Sequence, residues 1–363
     1  MNRNLLRTAA PLAVAVTLAL GLSACGASNE TSSSGASSKL SGTLNAGGSS
    51  AQESAVAAWK KAFQTTNPDT TINYDPVGSG GGREQFIAGG LKLAGSDAFL
   101  DDAELAKAKT TCKSPVVEVP VYVSPIAVIF NLPGVTDLNL TPSVLGSIFA
   151  GKITKWDDAA IKADNPSAKL PSSAISPVHR SDDSGTTENF TDYLVQASGG
   201  SWASPKNKAW PIKSGEAAAG TSGVVSAVTK GEGTIGYADA SQAGSLGVAK
   251  IKVGSKFTAY TPEAAAAVLD ASQQVSGRGD TDIAINVDRK LATDGVYPIV
   301  LVSYQIACEK YSDKAQGDLI KAWLTYVTSS DGQAVAAKDA GAAPLSAGLS
   351  TKVTAAIAKI SVG

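Results

Sequence analysis

The sequence predicts an α/β protein with a mostly parallel sheet and helices on both faces. Three observations carry that prediction. Residues 40–96 alternate strand and helix patterns in the order β-α-β-α-β, which is the order that builds parallel sheets. Long apolar runs, Val116 to Val123, Pro125 to Leu132 and Tyr297 to Ala307, read as strands that cross into a second domain and back. Three strand patterns end in small polar clusters that open a helix: Gly47-Gly48-Ser49-Ser50, Gly78-Ser79-Gly80-Gly81-Gly82 and Arg180-Ser181-Asp182-Asp183-Ser184-Gly185-Thr186. In open α/β sheets, ligands collect at the carboxyl ends of strands, where these clusters fall.

Taken in order, Leu40 to Ala46 is the first strand. Ser50-Ala51-Gln52-Glu53 has capping-box spacing, and Val56, Trp59 and Phe63 then share one helical face until Asn67-Pro68 ends the helix. Thr71 to Val77 is the second strand, followed by the glycine run and a short helix carrying Phe86, Ile87 and Leu91. Leu93 to Ser96 is the third strand and ends at Asp97. Val144, Leu145, Ile148 and Phe149 form a helical face; Ile175 to His179 is a strand running into the third cluster, whose helix carries Phe190, Tyr193 and Leu194. Gly233 to Tyr237 reads as a short buried strand, and Leu319 to Val327 as an amphipathic helix with Trp323 on its apolar side.

The chain's start reads as a secretory signal over residues 1–25. Arg3 and Arg7 supply the charged region, and Ala9 to Leu22 is an apolar run too short for a membrane span. The run stops at Leu22-Ser23-Ala24-Cys25, which resembles the bacterial lipobox, with Cys25 as the lipidated residue. Residues 26–41 are rich in Ser, Gly and Ala and predict a flexible tether. The chain has three cysteines. Lipidation of Cys25 leaves Cys112 and Cys308, either as a disulfide within the first domain or as two buried thiols.

Without Arg3 and Arg7 there are 29 basic and 32 acidic residues, a net of −3, and no basic stripe, which excludes a nucleic-acid partner. A helix N-terminus offers unpaired N–H groups and about half a positive charge, so three of them with one arginine describe a pocket for a small oxyanion. With so little net attraction, recognition has to be local, by oriented hydrogen bonds. Enzyme readings fit poorly. The sole histidine, His179, would have to serve as any base, Gly78-Ser79-Gly80 is not a nucleophile elbow, and neither zinc-ligand spacing nor a Gly-Lys-Ser/Thr phosphate loop is present. No cofactor or metal is expected.

Six segments in order resemble one family, the substrate-binding lipoprotein of the bacterial phosphate ABC transporter (PstS). They are Ala46 to Ser50, Val77 to Gly82, Gly95 to Ala98, Ile148 to Asp158, Arg180 to Thr186 and Gly233 to Tyr237. The resemblance implies a two-domain type II periplasmic-binding-protein fold, with domain I from residues 42–124 and 299–363 and domain II from 125–298. It implies phosphate held between them by Ser49, Ser50, Ser79 and Asp97 of the first domain and Arg180, Ser184, Gly185 and Thr186 of the second, with Asp182 holding Arg180. Two positions depart from the family. An aromatic residue often stands where Ser50 is, so only its N–H carries over, and Gly80 replaces the second serine of the usual Gly-Ser-Ser-Gly-Gly. Read alone, Ser49 and Ser50 are also ordinary helix caps, and Asp97 a cap for a helix from Ala98. His179 is read as structural or exposed. The resemblance further implies a monomer on the outer face of the cytoplasmic membrane, delivering phosphate to an ABC permease and ATPase complex. A binding protein for another oxyanion, such as sulfate or molybdate, is the alternative.

Overall fold

The structure is a computed structural model and describes residues 40–363. The signal segment, Cys25 and nearly all of the tether lie outside the described residues. Strand β1 (Gly42–Gly48), helix α1 (Glu53–Thr66), β2 (Thr70–Asp75), α2 (Ser79–Ile87), β3 (Leu93–Ser96) and α3 (Asp102–Cys112) follow in the expected alternation. Leu91 falls outside α2, because Gly89 takes a left-handed φ of 78° just past the helix end. Asp97 caps no helix: α3 starts five residues later on a capping box made by Asp101 and Glu104.

Strand β4 (Val116–Asn131) is a single strand of 16 residues, where two were expected. Pro125 sits where its partner changes. Up to that residue β4 pairs antiparallel with β14 (Val300–Cys308), and from Ile126 it pairs antiparallel with β8 (Thr234–Asp239). A proline has no N–H to offer a ladder, so the point where one partner hands over to the next is where it fits. Between these come β5 (Asn139–Leu140), α4 (Pro142–Phe149), α5 (Ala159–Asp164), β6 (Ser176–Arg180), α6 (Gly185–Ala197), β7 (Glu216–Ala218) and α7 (Gly220–Lys230). After β8 follow β9 (Gly247–Val248), β10 (Lys250–Val253), β11 (Lys256–Thr258), α8 (Pro262–Asp270), β12 (Gln273–Gln274) and β13 (Ile285–Asn286). Beyond β14 the chain closes with β15 (Lys310–Tyr311), α9 (Lys314–Thr328), α10 (Ser330–Ala340), α11 (Ala347–Ala358) and β16 (Ser361–Val362).

The main sheet runs β2-β1-β3-β14-β4-β8-β6-β7, with β9 added against β4. Its two wings, β2-β1-β3 and β8-β6-β7, are parallel, while β14 and β4 run antiparallel to their neighbours. The helices bury apolar stripes on the wings. On α1, Ala55, Val56, Trp59 and Phe63 are buried, and Phe63 meets Trp323 of α9 edge-on at 5.4 Å. Cys112 and Cys308, the last residues of α3 and β14, are joined by a disulfide with Cα atoms 5.4 Å apart. No helix of the described residues is long and apolar enough to cross a membrane.

Residues 275–289 form a strap from the central strand β4 to helix α6. Against β4, Glu118 N–H donates to Thr281 O (2.9 Å) and Ile283 N–H to Glu118 O (2.8 Å). Toward α6, the buried Arg289 places Nε 2.6 Å from Asp192, while its Nη1 donates to the carbonyls of Pro298 and Val300.

Candidate anion site

The site begins with a close approach of β1 and β3. A Cβ on Gly48 would lie 2.0 Å from Gly95 O, and Gly48 has a φ of 135°, so only glycine lets the two strand ends meet. That approach sets Ser49 against Asp97, with the serine Oγ donating to Asp97 Oδ2 at 2.5 Å. The same Oγ accepts from the N–H groups of Ala51 (3.1 Å) and Gln52 (3.3 Å). Ser49, then, is the capping hydroxyl of this turn, and the expected capping box from Ser50 to Glu53 does not form. Ser50 Oγ faces the other wing, 3.0 Å from Thr221 Oγ1, and accepts from Thr221 N–H at 3.1 Å.

The glycine run brings the N-terminus of α2 to the same point. Gly78 N–H donates to Gly48 O (2.8 Å), and Ser79 Oγ accepts from Asp97 N–H (3.1 Å) and reaches Asp97 Oδ2 at 3.4 Å. Asp97 Oδ1 has a separate partner: Ser303 Oγ of β14, at 2.8 Å. Burial pushes the Asp97 carboxyl up from its ordinary value, opposed by the hydroxyls of Ser49 and Ser303, the charge of Arg180 and the Ser79 hydroxyl.

On the second wing, Arg180 ends β6 and is almost fully buried. Its Nε donates to Asp182 Oδ1 at 2.8 Å and its Nη2 pairs with Oδ2, a two-point grip that fixes the guanidinium plane. Partial burial acts to raise the Asp182 pKa, but the Arg180 hydrogen bond and charge and the Gly220 N–H, 3.0 Å from Oδ1, outweigh it and hold the carboxyl below its ordinary value. Ser184 caps α6 by accepting from Thr187 N–H at 3.1 Å, and Thr187 Oγ1 meets Tyr237 Oη at 2.7 Å. Thr186 Oγ1 is buried with no hydrogen-bond partner among the described residues. Here the α6 N-terminus touches the first wing: a Cβ on Gly185 would lie 2.5 Å from Ser79 Oγ and 2.9 Å from Asp97 Cβ.

The structure thus gathers Ser49, Ser79, Asp97 and Gly185 at direct contact. Ser50 lies against α7, and Arg180 is held by Asp182. Ion pairs cross at the rim, where Arg83 of α2 reaches Glu188 of α6 (3.5 Å), and Lys208 reaches both Glu104 of α3 and Asp183 (3.4 Å each). His179 lies outside the cluster, stacked on Trp210 with centroids 5.0 Å apart and its Nδ1 2.9 Å from Arg180 O. Four contributors escaped the sequence reading. Ser303 is a lone serine in an apolar strand, and Tyr237 was read only as part of a strand. Asn189, inside α6, donates to Asp97 O at 2.6 Å and carries no motif. The α7 N-terminus is signalled only by Ala219-Gly220-Thr221-Ser222-Gly223, a small-residue run of the same kind as the three that were read.

Chemically, the first-turn N–H groups of four helices, several hydroxyls and one guanidinium are all donors. Asp97 is an acceptor among them, and dehydrated anions with a proton of their own suit that combination.

Comparison with known proteins gives one direction. The description "PBP superfamily domain" matches residues 33–331. The chain is 37% identical over 333 residues to Phosphate-binding protein PstS3 of Mycobacterium bovis BCG, covering 88% of this chain and 90% of that one. It is 32% identical over 371 residues to Phosphate-binding protein PstS 2 of Mycobacterium tuberculosis, covering 98% and 99%. Among solved structures, a high affinity periplasmic phosphate-binding protein (PfluDING) bound with phosphate aligns with a TM-score of 0.73 at 22% identity, over 86% of this chain and 93% of that one. A putative phosphate ABC transporter substrate-binding protein with bound phosphate from Clostridium perfringens aligns at 0.58 and 19% identity, over 84% and 100%. At those identities the structural likeness speaks to the fold.

Proposed function

The chain belongs to the PBP superfamily, among the PstS phosphate-binding proteins, and on that footing we propose that it binds inorganic phosphate and hands it to an ABC permease and ATPase complex. In this reading Ser49, Ser79, Ser184 and Thr186 give hydroxyls, Ser50, Gly185 and Thr186 give N–H groups, and Arg180, set by Asp182, gives the forked cation. Asp97 takes the proton that phosphate still carries at neutral pH. The observation that carries the reading is this one buried carboxylate in an otherwise donor-lined site. Sulfate has no proton to give it, and a buried charged acceptor left facing a bare anion costs at least ~1–3 kcal/mol.

Two domains, 42–124 with 299–363 and 125–298, would swing about β4 near Ser124-Pro125 and about the start of β14. The partner switch at Pro125 supports that hinge. The contacts of Ser50 with Thr221 and of Gly185 with Ser79 would then belong to the closed form. The protein would act as a monomer outside the cytoplasm, tied through Cys25 and the tether to the outer face of the cytoplasmic membrane.

Calorimetry on the folded domain with phosphate, arsenate, sulfate and molybdate tests the reading. Phosphate should bind with sulfate unable to compete in large excess, and Asp97→Asn should weaken phosphate and narrow the gap to sulfate. Displacement of phosphate by sulfate at comparable concentration would refute it in favour of general oxyanion binding.

A further inference from the structure

The two oxygens of Asp97 have different surroundings. Oδ2 looks toward Ser49 and Ser79, the hydroxyls of the α1 and α2 N-termini. Oδ1 is held from the sheet by Ser303, which is fully buried and 206 positions away in sequence. Ser303 belongs to no helix N-terminus, so it has no first-turn N–H to offer an anion, and its hydroxyl proton is spent on the carboxylate. The backbone is shaped at this point. The β14–β4 register slips between Ser303 and Tyr304, so that Ser303 faces Tyr122 while Tyr304 faces Pro120. Irregularities of this kind re-aim a side chain beside a site. Gln52, in the α1 turn, fastens the same spot through its Nε2, which donates to Tyr304 O at 2.9 Å.

We propose that Ser303 is a positioning residue for oxyanion selectivity: by holding Oδ1 it fixes the Asp97 carboxylate as an acceptor and leaves Oδ2 as the oxygen that meets the ligand's proton. The inference rests on the phosphate reading above. A carboxylate free to rotate no longer presents one fixed acceptor to the ligand's proton, and one that picks up a proton becomes a donor and loses its ground for rejecting a bare anion. Burial works toward protonation, and the Ser303 hydroxyl is among the groups that oppose it. The other ionisable groups that feel this carboxylate are Arg180 from β6, which favours its charge, and Tyr74 of β2, Tyr122 of β4 and Asp239 of β8. Of the opposing groups, Ser303 is one that the ligand has no reason to displace.

The test is phosphate and sulfate affinity across pH for the parent, Ser303→Ala and Ser303→Thr. Loss of a charge-assisted hydrogen bond should lower phosphate affinity about tenfold while leaving sulfate unchanged or tighter, so the preference narrows by about tenfold. The acid loss of phosphate binding, which follows protonation of Asp97, should begin about one pH unit higher, and sulfate should start to compete at correspondingly higher pH. Ser303→Thr, which keeps the hydroxyl, should restore the parent's pH profile. If Ser303→Ala fails to fold, Ser303→Cys keeps the volume with a weaker donor and should shift the profile in the same direction. A variant whose affinity falls equally for both anions at every pH, with the parent's profile intact, assigns Ser303 to packing and overturns the proposal. A parent that binds sulfate as well as phosphate refutes the underlying reading, and the inference falls with it.

Discussion

If the two wings close on phosphate as proposed, replacing Gly80 with alanine should separate folding from closure. Gly80 lies inside α2, where alanine is the better helix former by about 1 kcal/mol, so the change should hold or slightly raise the stability of the ligand-free protein. Toward Asp183, on the other wing, the effect is the reverse. The new Cβ would lie 2.4 Å from Asp183 Cβ and 3.0 Å from Asp183 O, atoms next to the backbone that no rotamer change can move. Restoring ordinary carbon contact at ~3.8 Å needs the two wings to part by about 1.4 Å there. That breaks the bond from Gly80 N–H to Asp183 O, now 2.9 Å. Overpacking of this kind costs about 1–3 kcal/mol, and in the proposed closure it falls on the closed form alone, so phosphate affinity should drop roughly 10- to 100-fold. Calorimetry gives the affinity, and thermal melts with and without phosphate give the contrast: the ligand-free Tm holds while the phosphate-induced rise shrinks. Parent-like affinity, or an equal loss of Tm with and without phosphate, would refute the reasoning.

Three further outcomes follow from the same geometry. Arg180→Lys keeps the charge but loses the two-point grip by Asp182, and phosphate affinity should fall about tenfold or more by calorimetry; unchanged affinity removes the guanidinium from the contact set. Asp239, buried at the end of β8 with one oxygen bonded to Ser241, has its carboxyl pushed up to about 6, chiefly by burial. A raised carboxyl contributes stability below its ordinary pKa and loses it as pH climbs through about 6, so Asp239→Asn should gain on the parent by up to ~3 kcal/mol between pH 4 and 7.5. A Tm difference that is the same at both ends of that range would contradict this. Removing the Cys112–Cys308 bridge, which spans 196 positions, should cost about 2–5 kcal/mol in denaturant melts; two alkylated thiols in freshly secreted protein would show that the bond does not form.

The parts of this protein that announce themselves are those where the chemistry is local. Gly48, Ser49, Gly78, Ser79 and the stretch from Arg180 to Thr186 are legible because a strand end, a turn and a helix start leave adjacent small residues. Asp97 is legible as the residue after a short buried strand. Ser303 is not, since one hydroxyl in Val300–Cys308 looks like any tolerated serine until β14 is seated beside β3. Asn189 is hidden for a similar reason, as a polar residue on a helix whose partner, Asp97, follows a strand of the other wing. Ser50 shows the limit of local rules: its spacing to Glu53 fits a capping box, but Thr221, from the other wing, takes the hydroxyl. Pro125 misleads as a strand breaker because its missing N–H falls where the ladder changes partners. The strap over residues 275–289 has no periodicity, and only its bonds to Glu118 and Asp192 reveal it.

The order of the sheet also dictates an order of assembly. β14 is inserted between β3 and β4, pairing Ser96 with Tyr304 and Val116 with Cys308. A growing chain that ends before residue 300 therefore carries a main sheet with a gap between β3 and β4. One border of that gap is the apolar stretch of β4 from Val116 to Pro125, an edge that can recruit any other strand. Contacts so distant in sequence form late and slowly. Because Ser303 arrives on that late strand, an incomplete chain already owns the glycine turns and Asp97 yet lacks the hydroxyl that restrains the carboxylate. Nascent or truncated forms should therefore be sticky toward other strands before they are selective toward anions.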